Sequence, residues 1–177
     1  VLSQLTNSIL TSSSIGLFDV LREKEHLAYS VFSELETNGD VGEISCNILT
    51  TTDNKNINEI SYENVQKAIN GFKNQIEKLK SGKFTEQDLS NAKLSLKSKL
   101  LDNEGTNAKL NILDIGLNSK NGITQSNQLY EEIDKITKED ILSYADKMFS
   151  NTPVYSIVAS KDTLNNNKEF FKNLERN

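Results

Sequence analysis

The segment AYSVFSELETNGDVGEISCNILTT, residues 28–51, decides the fold. Its first part is rich in β-branched and aromatic residues and alternates with a period of two, which is typical of a β-strand. Asn38 and Gly39 follow, and both residue types tolerate the positive φ of a tight turn, so the sequence predicts a β-hairpin. One face of it is predicted to hold Tyr29, Val31, Ser33 and Leu35 from the first strand and Gly42, Ile44, Cys46 and Ile48 from the second.

Helices are predicted on both sides of this hairpin. Residues 2–24 carry apolar residues at helical spacing, interrupted by the small-residue break TSSSIG. After the hairpin, a long amphipathic helix is predicted from an N-cap at Ser61 to Gly82, because glycine commonly follows the end of a helix. The segments 106–122, 126–135 and 164–177 are also predicted to be helical.

Two further helix starts are marked by capping pairs. Thr85 precedes Asp88 by three residues, and Thr137 precedes Asp140 by the same spacing. This is the spacing of a capping box, with Asp in place of Glu. We therefore expect one helix to begin after Thr85 and another after Thr137.

A late strand completes the predicted fold. VYSIVAS, residues 154–160, follows Pro153 and has the composition of a buried strand. A lone strand cannot satisfy its backbone groups, so we expect it to join the hairpin sheet. The prediction is an α+β fold, a single domain over residues 1–177, with an antiparallel sheet and helices packed on one of its faces. Because the sheet is thin and the chain opens like the middle of a helix, we expect a piece of a longer protein.

Composition excludes several classes of function. The 177 residues have a net charge of −5 and a pI near 5.0, so the basic face of a nucleic-acid-binding protein is not expected. No stretch is apolar enough to suggest a membrane span. Cys46 is the single cysteine, so an intrachain disulfide is impossible, and a reducing setting such as the cytoplasm is favoured.

The residues that usually carry catalysis are scarce. His26 is the single histidine, whereas a catalytic zinc site needs three protein ligands. We interpret it as a partly exposed residue at a helix end. Cys46 is predicted to face the core, where thiols are inert. Glu23, Glu25 and Glu34 are most simply interpreted as solvent-facing. These residues alone do not indicate an enzyme.

Arg22 is one of two arginines among 20 basic residues, and the other, Arg176, lies at the chain end. Arginine offers a rigid fork of donors that lysine lacks, so its presence here indicates a specific task. The surrounding stretch LREKEHLAYSV, residues 21–31, resembles the L-R-E-K-x-G-L-A-Y-S-V stretch of the pitrilysin and insulysin family of zinc metallopeptidases, which includes the mitochondrial processing peptidases. Segments 82–93 and 133–141 resemble later family motifs in the same order. His26 departs from the Gly or Gln of the family, and the zinc motif H-x-x-E-H is absent.

The resemblance implies that this chain is part of a peptidase built from two homologous halves. The chain resembles the later part of the C-terminal half, which has no metal ligands, and zinc is expected in an N-terminal homologous half or partner subunit. The two halves close around a chamber that holds a peptide substrate. By resemblance, Arg22 and Tyr29 contact that peptide and the transition state, and the chain would be inert without the zinc-bearing half.

Other interpretations stay open. Arg22 could cap the carbonyls at the end of its helix, and Tyr29 could be an ordinary half-buried strand aromatic. The chain could be a scaffold or substrate-binding subunit of the same family that has lost catalysis. It could also be an unrelated α+β interaction module.

Overall fold

A computed structural model describes residues 1–38, 41–51, 53–56, 59–61, 63–102 and 126–174. The first half holds helix α1 (Leu2–Ser12), a π-helix (Phe18–Lys24), strands β1 (Ala28–Asn38), β2 (Val41–Thr50), β3 (Asp53–Asn56) and β4 (Glu59–Ser61), and helix α2 (Glu63–Lys80). The second half holds helices α3 (Glu86–Asp102), α4 (Ser126–Lys135), α5 (Lys138–Met148), α6 (Lys161–Asn166) and α7 (Lys168–Leu174).

Strands β1 and β2 form the predicted antiparallel hairpin. Val31 pairs with Ile48, and Ser33 pairs with Cys46. The pairing reaches Asn38 opposite Val41, and residues 39–40, which include the predicted turn residue Gly39, lie outside the described residues. Strands β3 and β4 form a second, small antiparallel sheet that the sequence did not predict.

One face of the hairpin packs against helices. Val31 and Ser33 are buried, and Ile44, Cys46 and Ile48 pack against the core. Helix α1 contacts β1, and α2 contacts β2. The side chains that alternate with these are turned away from the core. This arrangement confirms the predicted α+β class with helices on one face of an antiparallel sheet.

The core joins this face of the hairpin to the helices. Its buried members come from α1, the segment 17–21, β1, helices α2 to α5 and the loop between α2 and α3. They are Leu5, Ile9, Leu10, Leu17, Val20, Leu21, Val31, Leu79, Phe84, Leu89, Ala92, Leu96, Ile133, Ile141 and Ala145. Helix α1 contacts β1, α2, α3 and α5, and it contributes three of these residues.

The long helix α2 ends where the sequence predicts. Gly82 has a φ of +70°, a conformation that glycine adopts without steric cost. Its amide donates to the carbonyl of Leu79 (3.0 Å), and the amide of Lys83 donates to that of Lys78 (3.0 Å), which is the Schellman pattern. The start differs from the prediction, since Ser61 ends β4 and α2 begins at Glu63.

Both predicted capping boxes are confirmed. The Asp88 carboxylate accepts from the amide and the hydroxyl of Thr85 (both 2.8 Å), and the Asp88 amide donates to the Thr85 hydroxyl (3.1 Å). Thr137 and Asp140 repeat the pattern at the start of α5. Helix α4 also matches its predicted bounds, whereas the helix predicted over 106–122 lies outside the described residues.

The predicted late strand is wrong in this structure. Residues 152–160 form no regular element, and Val154 and Val158 are 96% and 99% exposed. The strand prediction rested on composition, but strand formation also requires a partner edge, and no described strand pairs with this segment. The tail is helical as predicted, but it forms two short helices, α6 and α7, instead of one.

Candidate functional site

The segment that carries Arg22 is a π-helix. The Glu25 amide donates to the carbonyl of Val20 (2.9 Å), five residues earlier. The sequence predicts an ordinary helix here, and the difference matters because π-helical turns are rare and concentrate at functional sites. The turn is wider than that of an α-helix, so side chains four and five residues apart come into line. Phe18 and Arg22 are such a pair.

A glycine allows this π-helix to pack closely on α2. Leu21 is fully buried. A Cβ atom at Gly71 would meet its Cδ2 at 2.5 Å, closer than real Cβ atoms approach. Leu21 therefore occupies space that any side chain at position 71 would need. Because Arg22 directly follows Leu21, this packing fixes the backbone from which the guanidinium projects.

Two local features turn the chain from the π-helix into β1. His26 has a φ of 51°, in the left-handed region that non-glycine residues adopt at a cost. Ala28 then pairs with Thr50 and Ser30 pairs with Leu49, so β1 has one extra residue at Tyr29. This is a β-bulge, a feature that re-aims side chains and is common beside active sites.

The bulge changes the prediction made for Tyr29. The alternation predicts that it shares a face with Val31 and Ser33, and this prediction is wrong because the extra residue breaks the alternation. Tyr29 is 83% exposed, whereas Val31 and Ser33 are buried. An ordinary half-buried strand aromatic does not fit that exposure.

Arg22 contacts two aromatic rings. Its guanidinium carbon is 4.7 Å from the ring centroid of Phe18 and 4.9 Å from that of Tyr29. Its Nε also forms an ion pair with Glu23 (3.2 Å), and the Arg22 side chain is 34% exposed. Ring contacts of this kind do not use the guanidinium N–H groups as ordinary hydrogen-bond donors, so those that Glu23 does not engage stay available.

The structure therefore brings the two residues predicted as a site into contact. Phe18 completes the cluster, and the sequence interpretation did not include it. The signal is present in the sequence, since Phe18 precedes Arg22 by four residues in a helical stretch. A carbonyl cap does not describe the contacts of Arg22, which are two rings and a carboxylate.

The remaining candidate residues have the surroundings predicted for them. His26, Glu23, Glu25 and Glu34 are exposed. Cys46 lies on the inner face of the hairpin, and burial raises the pKa of its thiol to about 11, far from the value of a nucleophilic thiolate.

Neither a metal-binding group nor a membrane span is found in the described parts of the chain. No three His, Cys, Asp or Glu side chains come together there in a group that could hold a metal ion. No helix there is both long and apolar enough to cross a bilayer.

A polar cavity of about 530 Å³ lies between α1, β1 and α3, away from this cluster. Arg22 and Tyr29 do not line it. Three of its polar residues bond to one another, because the Ser33 hydroxyl bonds to the Asn7 side chain (2.6 Å) and to Thr11. These groups hold β1 on α1 and are already paired.

Comparison with known proteins identifies the family. The model of the peptidase M16 inactive domain matches residues 2–96, more than half of the chain. The chain belongs to the M16 peptidase family. Over 108 residues it is 30% identical to the mitochondrial-processing peptidase subunit beta of Saccharomyces cerevisiae (strain ATCC 204508 / S288c). That alignment covers 60% of this chain and 23% of the yeast subunit, so the chain spans under a quarter of that relative's length.

Solved structures support the fold of this M16 domain. A conserved protein from Enterococcus faecalis V583 superposes with a TM-score of 0.64 at 20% identity, over 82% of this chain and 32% of that chain. A protease from Helicobacter pylori superposes with a TM-score of 0.59 at 20% identity, over 81% and 34%. The family resemblance noted in LREKEHLAYSV is thus confirmed, as a non-catalytic M16 domain, and the segment 21–31 lies within the matched region.

Proposed function

We propose that this M16 domain supplies substrate contacts to a zinc metalloendopeptidase whose zinc site lies in a companion half. It would be the later part of the C-terminal half, a single domain over residues 1–177. In the proposal, Arg22 and Tyr29 reach across a closed chamber to the backbone of a bound peptide. The companion half is in the same chain or in a partner subunit, and this domain is inert without it.

One observation supports the proposal most strongly, namely the contact between Arg22 and Tyr29 on an accessible surface. The guanidinium is 4.9 Å from the phenol ring, and Tyr29 is 83% exposed. An exposed phenol hydroxyl and a guanidinium edge are both hydrogen-bond donors. A pair that only stabilised the fold would not need to leave its donors open to solvent.

The chemistry of these donors suits peptide hydrolysis. When a peptide bond is attacked, negative charge builds on the carbonyl oxygen. Donors held in place beforehand stabilise that charge without having to reorganise. Arg22 is held by two rings and by Glu23, so its fork is oriented before substrate arrives. Loss of one donor of this kind costs roughly a hundredfold to a thousandfold in rate.

The residues of this chain do not fit a catalytic zinc site. Such a site takes three protein ligands, usually with histidine among them, and His26 is the single histidine. Within the described ranges no acidic or cysteine group gathers into a possible metal cluster. The proposal therefore assigns zinc to the companion half and derives no step of this domain from it.

The test compares the isolated chain with the complete peptidase. The isolated chain is expected to bind less than one zinc per molecule and to leave peptides uncut. In the complete peptidase, Tyr29→Phe is expected to lower kcat by about a hundredfold, because it removes one transition-state donor. Tyr144→Phe on α5 is the matched control and should keep wild-type turnover. Wild-type turnover in Tyr29→Phe would contradict the proposed role.

A further inference from the structure

The face of the hairpin that is turned away from the helices carries an exposed apolar pair. Leu49 pairs with Ser30 and Phe32 pairs with Asn47, so Leu49 and Phe32 are diagonal neighbours on this open face. Leu49 is 74% exposed and Phe32 is 38% exposed. Since Val31 and Ser33 fill the opposite, buried face, nothing in the core requires Phe32 and Leu49 to be apolar.

This apolar pair adjoins the Arg22 cluster along the strands. Tyr29 is the extra residue of the bulge and lies opposite the bond between Leu49 and Thr50. Leu49 is therefore next to the bulge. Phe32 follows three residues after Tyr29 on the same strand. The exposed ring of Tyr29, which contacts Arg22, therefore lies at the end of the open face that holds Leu49.

The far end of the open face is acidic. Glu34 and Glu36 follow Phe32 at alternate positions of β1, and all three are exposed. Glu36 lies directly opposite Glu43, which is also exposed, and like charges paired across strands destabilise a sheet. The segment 28–51 contains no Lys or Arg that could neutralise them. A cationic group from outside the hairpin would relieve this repulsion.

We propose that the open face of the hairpin binds the substrate peptide in an extended conformation and selects its side chains. This inference rests on the proposed function. An apolar side chain would lie on Phe32 and Leu49, next to the backbone contact with Arg22 and Tyr29. Lysine or arginine side chains would lie over Glu34, Glu36 and Glu43. A strand rises about 3.3 Å per residue, so the carboxylates at 34 and 36 lie roughly 7 and 13 Å beyond Phe32. Basic residues two and four positions from the apolar one would meet them.

Binding of fluorescein-labelled ten-residue peptides to the 177-residue chain tests this. The probe has one leucine with lysines two and four positions away, and two comparison peptides carry glutamates for the lysines or serine for the leucine. The lysine probe is expected to bind at least about tenfold more tightly than the glutamate peptide and about threefold more tightly than the serine peptide. The charge-dependent part should weaken as salt is raised.

Variants locate the binding. Glu34→Gln combined with Glu36→Gln should weaken binding of the lysine probe about fivefold. Glu86→Gln combined with Glu139→Gln removes two exposed carboxylates from α3 and α5 and should leave binding unchanged. Phe32→Ser combined with Leu49→Ser should remove the preference for leucine over serine. Amide resonances of β1 and β2 should shift when the probe is added to the wild-type chain, which reports the location without a mutation.

Two results would overturn the inference: equal weakening by the helix-face control pair, which would indicate attraction to net charge alone, or equal binding of the three peptides. The proposed function is judged separately, by turnover of the complete peptidase. If the open face binds as described while Tyr29→Phe keeps full turnover, the binding surface stands and the catalytic role fails. If turnover falls but the peptides are not distinguished, the catalytic role stands and the selectivity fails.

Discussion

The guanidinium carbon of Arg22 lies 4.9 Å from the ring centroid of Tyr29, although the two residues are seven positions apart in sequence. The contact depends on the backbone between them. The π-helix ends at Lys24, His26 turns the chain through a positive φ, and the bulge at Tyr29 directs the ring away from the core. The two side chains therefore form one unit on the surface, and the Phe18 ring also contacts Arg22.

Phe18→Leu tests whether stacking orients Arg22. A cation–π contact at an exposed site contributes about 0.5–1 kcal/mol, so kcat/KM of the complete peptidase should fall by about two- to fivefold. Phe171→Leu is the matched control. The Phe171 ring contacts that of Phe170 in the C-terminal tail and makes no described contact with Arg22. A loss in Phe18→Leu as large as that of Arg22→Ala would contradict a purely supporting role for the ring.

His26 is expected to limit stability. Its φ of 51° costs a residue with a Cβ about 1 kcal/mol or more, and glycine avoids that cost. His26→Gly should therefore raise the free energy of unfolding by up to about 1 kcal/mol, since part of the gain is lost to unfolded-state entropy. His26→Val should lower it by about 1 kcal/mol or more, because β-branched residues adopt positive φ least readily. Urea denaturation measures both, and a more stable valine variant would contradict the strain.

Asp88 is expected to contribute more stability than Asp140. Both complete a capping box, but Asp88 also accepts from the amide and the hydroxyl of Ser14 (both 2.9 Å), which joins α3 to the loop before the π-helix. Asp140→Ala should lower the free energy of unfolding, because the helix loses its cap. Asp88→Ala should cost about 2 kcal/mol, because two further hydrogen bonds are lost. Equal losses in urea denaturation would contradict the role of the Ser14 contact.

The Asp88 carboxylate should also make the free energy of unfolding depend on pH. Partial burial alone raises the pKa of Asp88, but the donors of Thr85 and Ser14 outweigh it and hold the pKa at about 2, below the ordinary value of 3.8. Because the folded-state pKa is the lower one, the stabilisation is full above about pH 4 and is lost as the pH falls toward 2. The difference in unfolding free energy between the wild type and Asp88→Asn should shrink over that range. A constant difference would contradict the assignment.

Cys46 is expected to be unreactive in the folded chain. Burial raises the pKa of its thiol to about 11, and only the thiolate reacts with iodoacetamide. Alkylation at pH 8 should therefore be at least tenfold slower in buffer than in urea. Rapid labelling of the folded chain would mean that the inner face of the hairpin is open to solvent.

Local signals explain what the sequence predicts well. The hairpin follows from alternation around Asn38, and the starts of α3 and α5 follow from Thr85 and Thr137, since each of these depends on residues that are close in sequence. Gly82 ends α2 for the same reason. Arg22 and Tyr29 are candidate site residues through a family resemblance, and the sequence does not predict the contact between them.

Long-range packing explains what the sequence does not predict. The close approach of Leu21 to Gly71 involves residues fifty positions apart, and the bulge at Tyr29 is a shift in strand register that the alternation does not reveal. The segment 154–160 has the composition of a strand, but strand formation depends on a partner edge elsewhere in the molecule. The exposure of Phe32 and Leu49 on one face likewise depends on how β1 is aligned with β2, which the sequence does not give.

The most direct test of the central claim is the kcat of the complete peptidase carrying Arg22→Lys. Lysine keeps the positive charge but lacks the planar fork that contacts the rings of Phe18 and Tyr29 and that we propose donates to a peptide backbone. We expect kcat to fall by about tenfold or more, while the unfolding free energy of the chain changes by less than about 1 kcal/mol. Wild-type kcat in Arg22→Lys would contradict the claim that the shape of this guanidinium serves catalysis.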